Sequence, residues 1–111
     1  MEISREVTDG VAVYRIVGRI DASTGQNLES AIDPDIRGSP RIIFDMGEVT
    51  FISSAGLRII LMTAKQVAAA KGSFAIFGLQ SAVNEVFEIS GLQKFIPIAS
   101  DETDARSKLG A

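Results

Sequence analysis

Neither cysteine nor histidine occurs anywhere in this chain of 111 residues. The first absence rules out disulfides and thiolate metal sites. The second removes the commonest general base and the commonest imidazole metal ligand. Without either residue, the usual nucleophile-and-base pairs of covalent catalysis cannot be assembled. No apolar run approaches the length needed to span a bilayer, so no membrane insertion is expected. An excess of basic charge is also lacking. The net charge is -3, whereas a nucleic-acid binder usually shows a basic face, so no direct nucleic-acid contact is expected. The first residues are acidic and polar, unlike a secretory signal, which leads to the expectation of a cytoplasmic protein.

What remains is a composition suited to a packed interior. Hydrophobic residues make up 46% of the chain and charged residues 23%, with no low-complexity tract. The length fits one domain, residues 1–111, with enough chain to bury a single core.

The chain opens with Ile3, Arg5 and Val7 alternating with polar neighbours, then Asp9-Gly10, then a run from Val11 to Val17. Asp-Gly between two strand-like runs signals a hairpin, because the tight turn needs positive φ. Val11, Val13, Tyr14, Ile16 and Val17 are apolar on both faces, as expected of an interior strand. Gly18-Arg19-Ile20-Asp21 is expected to leave the sheet. Ser23 and Gln26 have capping-box spacing, and Leu28, Ala31 and Ile32 follow at helical intervals until Asp33-Pro34. After the loop Arg37–Pro40, Arg41 to Asp45 reads as a short buried strand.

A second helix is expected from Ser54 or Ala55. Leu57, Ile60, Leu61, Ala64, Val67 and Ala68 give it one apolar stripe, and Lys71-Gly72 ends it. Phe74 to Phe77 reads as a strand. Ser81 begins a third helix with Val83, Val86 and Phe87 inward, closed by Gly91-Leu92. Phe95 to Ile98 is a short strand whose Pro97 suits an edge, and Asp101-Glu102 opens a last helix containing Ala105 and Leu109. A hairpin followed by alternating units predicts an α/β fold, with a mixed sheet of about five strands and about four helices.

Chemical motifs are few. There is no glycine-rich phosphate loop and no dinucleotide fingerprint. A serine–lysine dyad would need a lysine near Ser54, yet the nearest in sequence, Lys65, lies about three helical turns away. Ser54-Ala55-Gly56 lacks the leading glycine of a nucleophile elbow. The carboxylates are scattered, with Asp45 and Glu48 too isolated for a metal cluster. Neither a catalytic centre nor a cofactor is expected.

The most informative stretch is Asp45-Met46-Gly47-Glu48-Val49-Thr50-Phe51-Ile52-Ser53-Ser54-Ala55-Gly56-Leu57-Arg58. It runs from a strand, through a short turn, into adjacent serines at the start of an amphipathic helix. Unpaired backbone N–H groups there favour negative charge. This stretch resembles the signature of bacterial anti-sigma factor antagonists, the STAS domain family. Gly18-Arg19-Ile20-Asp21 resembles the family's segment after the second strand. Val83-Asn84-Glu85-Val86-Phe87-Glu88-Ile89-Ser90-Gly91-Leu92 resembles its third helix. The likeness extends from Ile3 to Leu109.

The resemblance implies a STAS-like sheet and a phosphorylation-switched binding protein. Its partners would be an anti-sigma factor that is also a serine kinase, and a PP2C-type phosphatase. By position, the family's phosphoacceptor falls on Ser54, with Ser53 the second candidate. The family commonly has aspartate just before the acceptor, and Ser53 stands there instead. Chemistry alone favours a helix cap for Ser54, and the resemblance shifts the reading to phosphoacceptor. Asp21 could cap the first helix or join the partner surface beside Ser54. Gly56 permits close approach of backbone or partner. Arg58, Met62 and Lys65 share one side of the helix, either a binding face or a solvated one. A reading from another class is a never-phosphorylated STAS accessory subunit of a membrane transport or lipid-trafficking complex.

Overall fold

Asp9 and Gly10 both adopt positive φ, 53° and 76°, and close the expected hairpin between β1 (Glu2–Thr8) and β2 (Val11–Ile20). The computed structural model describes residues 1–110. After the hairpin come α1 (Ala22–Ile32), β3 (Arg41–Ile52), α2 (Ser54–Ala69), β4 (Ser73–Phe77), α3 (Ser81–Ser90), β5 (Ile98–Ala99) and α4 (Glu102–Lys108). Short 3-10 turns follow α1, at Asp33–Asp35, and α3, at Leu92–Lys94. The sheet has five strands in the order β1-β2-β3-β4-β5. β1 is antiparallel to β2, and every later pair is parallel.

Alternation along β3 and β4 divides the interior. Ile42, Phe44, Phe74 and Ile76 face one side with Leu28, Ile32, Ile60, Val67, Val83 and Phe87, so α1, α2 and α3 cover that face. Ile43 and Ala75 face the other side, where Ala105 of α4 and Leu109 just after it close a smaller cluster. Tyr14, Phe44 and Phe74 form an edge-to-face series with ring centroids 5.8 and 4.8 Å apart.

Four elements differ from the sequence expectation. β2 does not end at Val17, and β3 does not end at Asp45. Both stay in the sheet, pairing Val17 with Glu48, Gly18 with Val49, Arg19 with Phe51 and Ile20 with Ile52. Register shifts between Arg15 and Val17 and between Gly18 and Arg19 break the two-residue period, which hides the extended strands from a periodicity reading. β5 is Ile98–Ala99 rather than Phe95–Ile98, because the N–H groups of Phe95 and Ile96 both donate to the Leu92 carbonyl in turn geometry. Pro97 lies just outside the strand, and its carbonyl accepts from the Ile76 N–H at 3.0 Å. Finally, α1 is capped by Asp21 with Thr24, not by Ser23 with Gln26.

On α2 the stripe holds with one exchange. Ile60 and Val67 are buried and Leu57, Leu61 and Ala64 half-buried, but Ala68 is exposed and Thr63 is buried instead. The Thr63 hydroxyl meets its own helix, donating to the Ile59 carbonyl at 2.9 Å.

Candidate functional site

The two longest parallel strands deliver two helix starts side by side. β2 ends at Ile20 and the chain turns through Asp21 into α1. β3 ends at Ile52 and turns through Ser53 into α2. The Ser53 N–H donates to the Ile20 carbonyl at 2.9 Å, tying the second turn to the first strand.

Ser53 is the N-cap of α2. Its backbone is extended, and its Oγ accepts from the Gly56 N–H at 3.1 Å. Ser54 is the first helical residue and is exposed. The two hydroxyls therefore differ in kind, one engaged in a cap and one presented to solvent at the positive end of a 16-residue helix.

Gly56 is buried, so it supports the site from beneath rather than offering a surface. A Cβ there would stand 2.6 Å from the Ile20 carbonyl oxygen and 2.9 Å from Ile52 Cγ1. Of its two sequence readings, close approach of backbone is the one observed. Gly25 plays a similar part between the helices, where a Cβ would lie 2.3 Å from the flexible end of Ile59.

Asp21, half-buried, caps α1. Its Oδ1 accepts from the Ser23 and Thr24 N–H groups at 3.0 Å each and from the Ser23 hydroxyl at 2.9 Å. The Thr24 N–H foremost, with the Ser23 hydroxyl, holds the Asp21 carboxyl down to about 2. Asp21 is thus both a cap and a fixed negative charge next to the start of α2.

Arg58, Met62 and Lys65 are all exposed along α2, Met62 at 41%. Sequence reasoning missed a neighbouring pair. The Arg19 guanidinium lies 4.1 Å from the centroid of the Phe51 ring, which is 39% exposed. Both residues stand in the quoted motifs. Only the pairing of Arg19 with Phe51 across β2 and β3 brings them together, and the register shifts conceal it.

Among the described residues, no group of three His, Cys, Asp or Glu side chains could hold a metal ion, and no helix is long and apolar enough to cross a membrane.

The family described as STAS domain matches residues 2–105. The chain belongs to the STAS domain family. It is 32% identical over 106 residues to BtrV of Bordetella bronchiseptica, covering 95% of this chain and 91% of that protein. It is 31% identical over 98 residues to the anti-sigma-F factor antagonist RsfB of Mycobacterium tuberculosis, covering 87% and 80%. Among solved structures, the anti-sigma factor antagonist SpoIIAA in its unphosphorylated form superposes with a TM-score of 0.79 at 23% identity, over 99% of this chain and 98% of that one. The phosphorylated form of that Bacillus protein superposes at 0.71 and 22%, over 96% and 98%. These likenesses agree in fold with the five-stranded STAS sheet described above.

Proposed function

We propose that this STAS protein is an anti-sigma factor antagonist, a regulatory binding protein rather than an enzyme, acting in the cytoplasm. In its unphosphorylated form it binds a cognate anti-sigma factor that is also a serine kinase, and so frees a sigma factor for transcription. The kinase ends the interaction by modifying Ser54. The Ser54 Oγ attacks the γ-phosphorus of ATP, its proton passes to a base of the kinase, and ADP leaves. A PP2C-type phosphatase hydrolyses the ester and restores the hydroxyl.

One observation carries this reading: the Ser53 Oγ is committed to the Gly56 N–H, whereas Ser54 is exposed in the first turn. RsfB, named as an antagonist of this kind, and SpoIIAA, solved with and without phosphate, support it by likeness. The surface offered to the partner is the outer side of α2, with Ser54, Arg58, Met62 and Lys65, flanked by Asp21, Ser53 and the Arg19–Phe51 stack.

A phosphoserine brings roughly -1.5 to -2 charges, which a helix N-terminus accommodates. Arg58, one turn along, is placed to pair with it. The fold therefore tolerates the modification. A docked partner instead meets bulk and a desolvated dianion.

The experiment is incubation with the cognate kinase and ATP, followed by phosphopeptide mass spectrometry. One phosphate on Ser54 is expected. Modification confined to Ser53 would refute the site. No modification by a partner that binds tightly would favour the accessory-subunit reading.

A further inference from the structure

At the end of the sheet opposite Ser54, where β3 begins, there is a cavity of about 230 Å³ lined by Arg5, Asp35, Arg37, Ser39, Pro40 and Arg41 among others. Three guanidinium groups on one small cavity are unexpected in a chain of net charge -3.

Only one of the three is matched. Asp35 accepts from Arg5 Nε and Nη2 at 2.6 Å each, and the Tyr14 hydroxyl donates to the same carboxylate. Both Asp35 oxygens are therefore occupied, and the Arg5–Asp35 pair is internally neutral. Among the described residues, neither Arg37 nor Arg41 forms an ion pair. Arg41 Nη2 is moreover buried with no hydrogen-bond partner. Native proteins leave few buried donors unmet, and this one belongs to a half-buried side chain, while Arg37 is exposed at the mouth of the cavity. Arg37 and Arg41 thus bring to the cavity two positive charges that no carboxylate answers, and an anion would balance them.

The walls are fixed in advance. Gly38 and Ser39 turn the chain with φ of 54° and 61°. The Ser39 N–H donates to the Ala70 carbonyl at 2.9 Å, and the Pro40 carbonyl accepts from the Ser73 N–H at 2.8 Å. On the other side, the Arg5–Asp35–Tyr14 cluster ties β1 and β2 to the turn after α1. At about 30 Å³ per water, the space equals roughly eight water volumes. That suits a tetrahedral oxyanion with a few waters and falls short of the size typical of sites for larger organic ligands.

We propose that this pocket binds a small oxyanion of the phosphate class, held by Arg37 and Arg41, at the end of the sheet remote from Ser54. The planar fork of arginine matches such an ion with paired N–H donors. The proposal is independent of the phosphorylation switch.

The test is a two-dimensional amide NMR titration of the whole protein with inorganic phosphate, against chloride at matched ionic strength. Saturable shifts confined to residues around Arg37–Arg41 are expected with phosphate alone. Arg37→Met and Arg41→Met should each weaken binding roughly tenfold, while Lys94→Met, a control for surface charge outside the pocket, leaves it unchanged. If Arg41→Met does not fold, Arg37→Met and the wild-type footprint still decide. Equal shifts with chloride, shifts centred on α2 near Ser54, or binding that survives the arginine substitutions would overturn the assignment. So would binding to phosphatidic acid vesicles without any response to inorganic phosphate, which would point to a lipid headgroup rather than a free ion.

Discussion

Gly56 and Ile20 are packed so closely that a Cβ on residue 56 would stand 2.6 Å from the Ile20 carbonyl oxygen. The obstacle is backbone, which cannot rotate away as a side chain end can. That same carbonyl accepts the Ser53 N–H, so the end of β2 sets the position from which α2 starts.

Gly56→Ala should therefore destabilise the fold, although alanine is the better helix former by about 1 kcal/mol. Overpacking of this kind costs about 1–3 kcal/mol, and the strain should exceed the propensity gain. Urea unfolding with an unchanged slope and a lowered midpoint is the expected result. Equal or higher stability would mean that α2 can move off Ile20 freely.

The two adjacent serines should separate cleanly. Ser53→Ala removes the α2 cap and should cost about 1 kcal/mol, yet still be phosphorylated. Ser54→Ala should change stability by less than about 0.5 kcal/mol, keep partner binding and accept no phosphate. Thermal melts and kinase assays on the pair provide the check, and a reversal of the two behaviours would exchange their roles.

Asp21 carries a pH signature. Its carboxyl is held down to about 2 in the folded protein against an ordinary value of 3.8. A depressed carboxylate contributes stability that is complete above its unfolded value and is lost as the pH falls through the folded one. Between pH of about 5 and about 2, wild type should lose more stability than Asp21→Asn, which still caps the helix but cannot titrate. Parallel unfolding curves for the two proteins across that window would show that Asp21 is not the source. Asp35 and Asp104 are also depressed, by the Arg5 guanidinium and by the Ser100 N–H respectively, and contribute equally to both proteins.

Phe51 is partly exposed beneath the Arg19 guanidinium, so its ring is available to a partner at little cost to the core. Phe51→Ala should weaken binding of the cognate anti-sigma factor about tenfold, equivalent to about 1.4 kcal/mol, with the melting temperature nearly unchanged. Unaltered affinity would place the partner elsewhere on α2.

Local chemistry made much of this molecule legible in the sequence. Asp9-Gly10 marks the hairpin, Pro34 halts α1, Gly91 closes α3 in the left-handed conformation, and the serines fall where α2 begins. Each signal acts within a few residues. The long β3 was hidden because its buried residues Met46, Val49 and Ile52 come three apart once the register shifts, which no strand template anticipates. β5 was misplaced because an apolar run around Ile96 reads alike in a strand or a turn. The Arg19–Phe51 stack and the convergence of Arg5, Arg37 and Arg41 depend on pairing between distant segments, and composition carries no trace of them.

The most direct test of the switch is calorimetric titration of the cognate anti-sigma factor with the unmodified protein and with its Ser54-phosphorylated form, beside thermal melts of both. A penalty of about 3 kcal/mol at the interface corresponds to roughly a hundredfold loss of affinity. The account predicts that loss together with cooperative melting of both forms. Equal affinity of the two forms would contradict it, as would loss of cooperative melting on phosphorylation, which would mean that the modification acts by unfolding the protein.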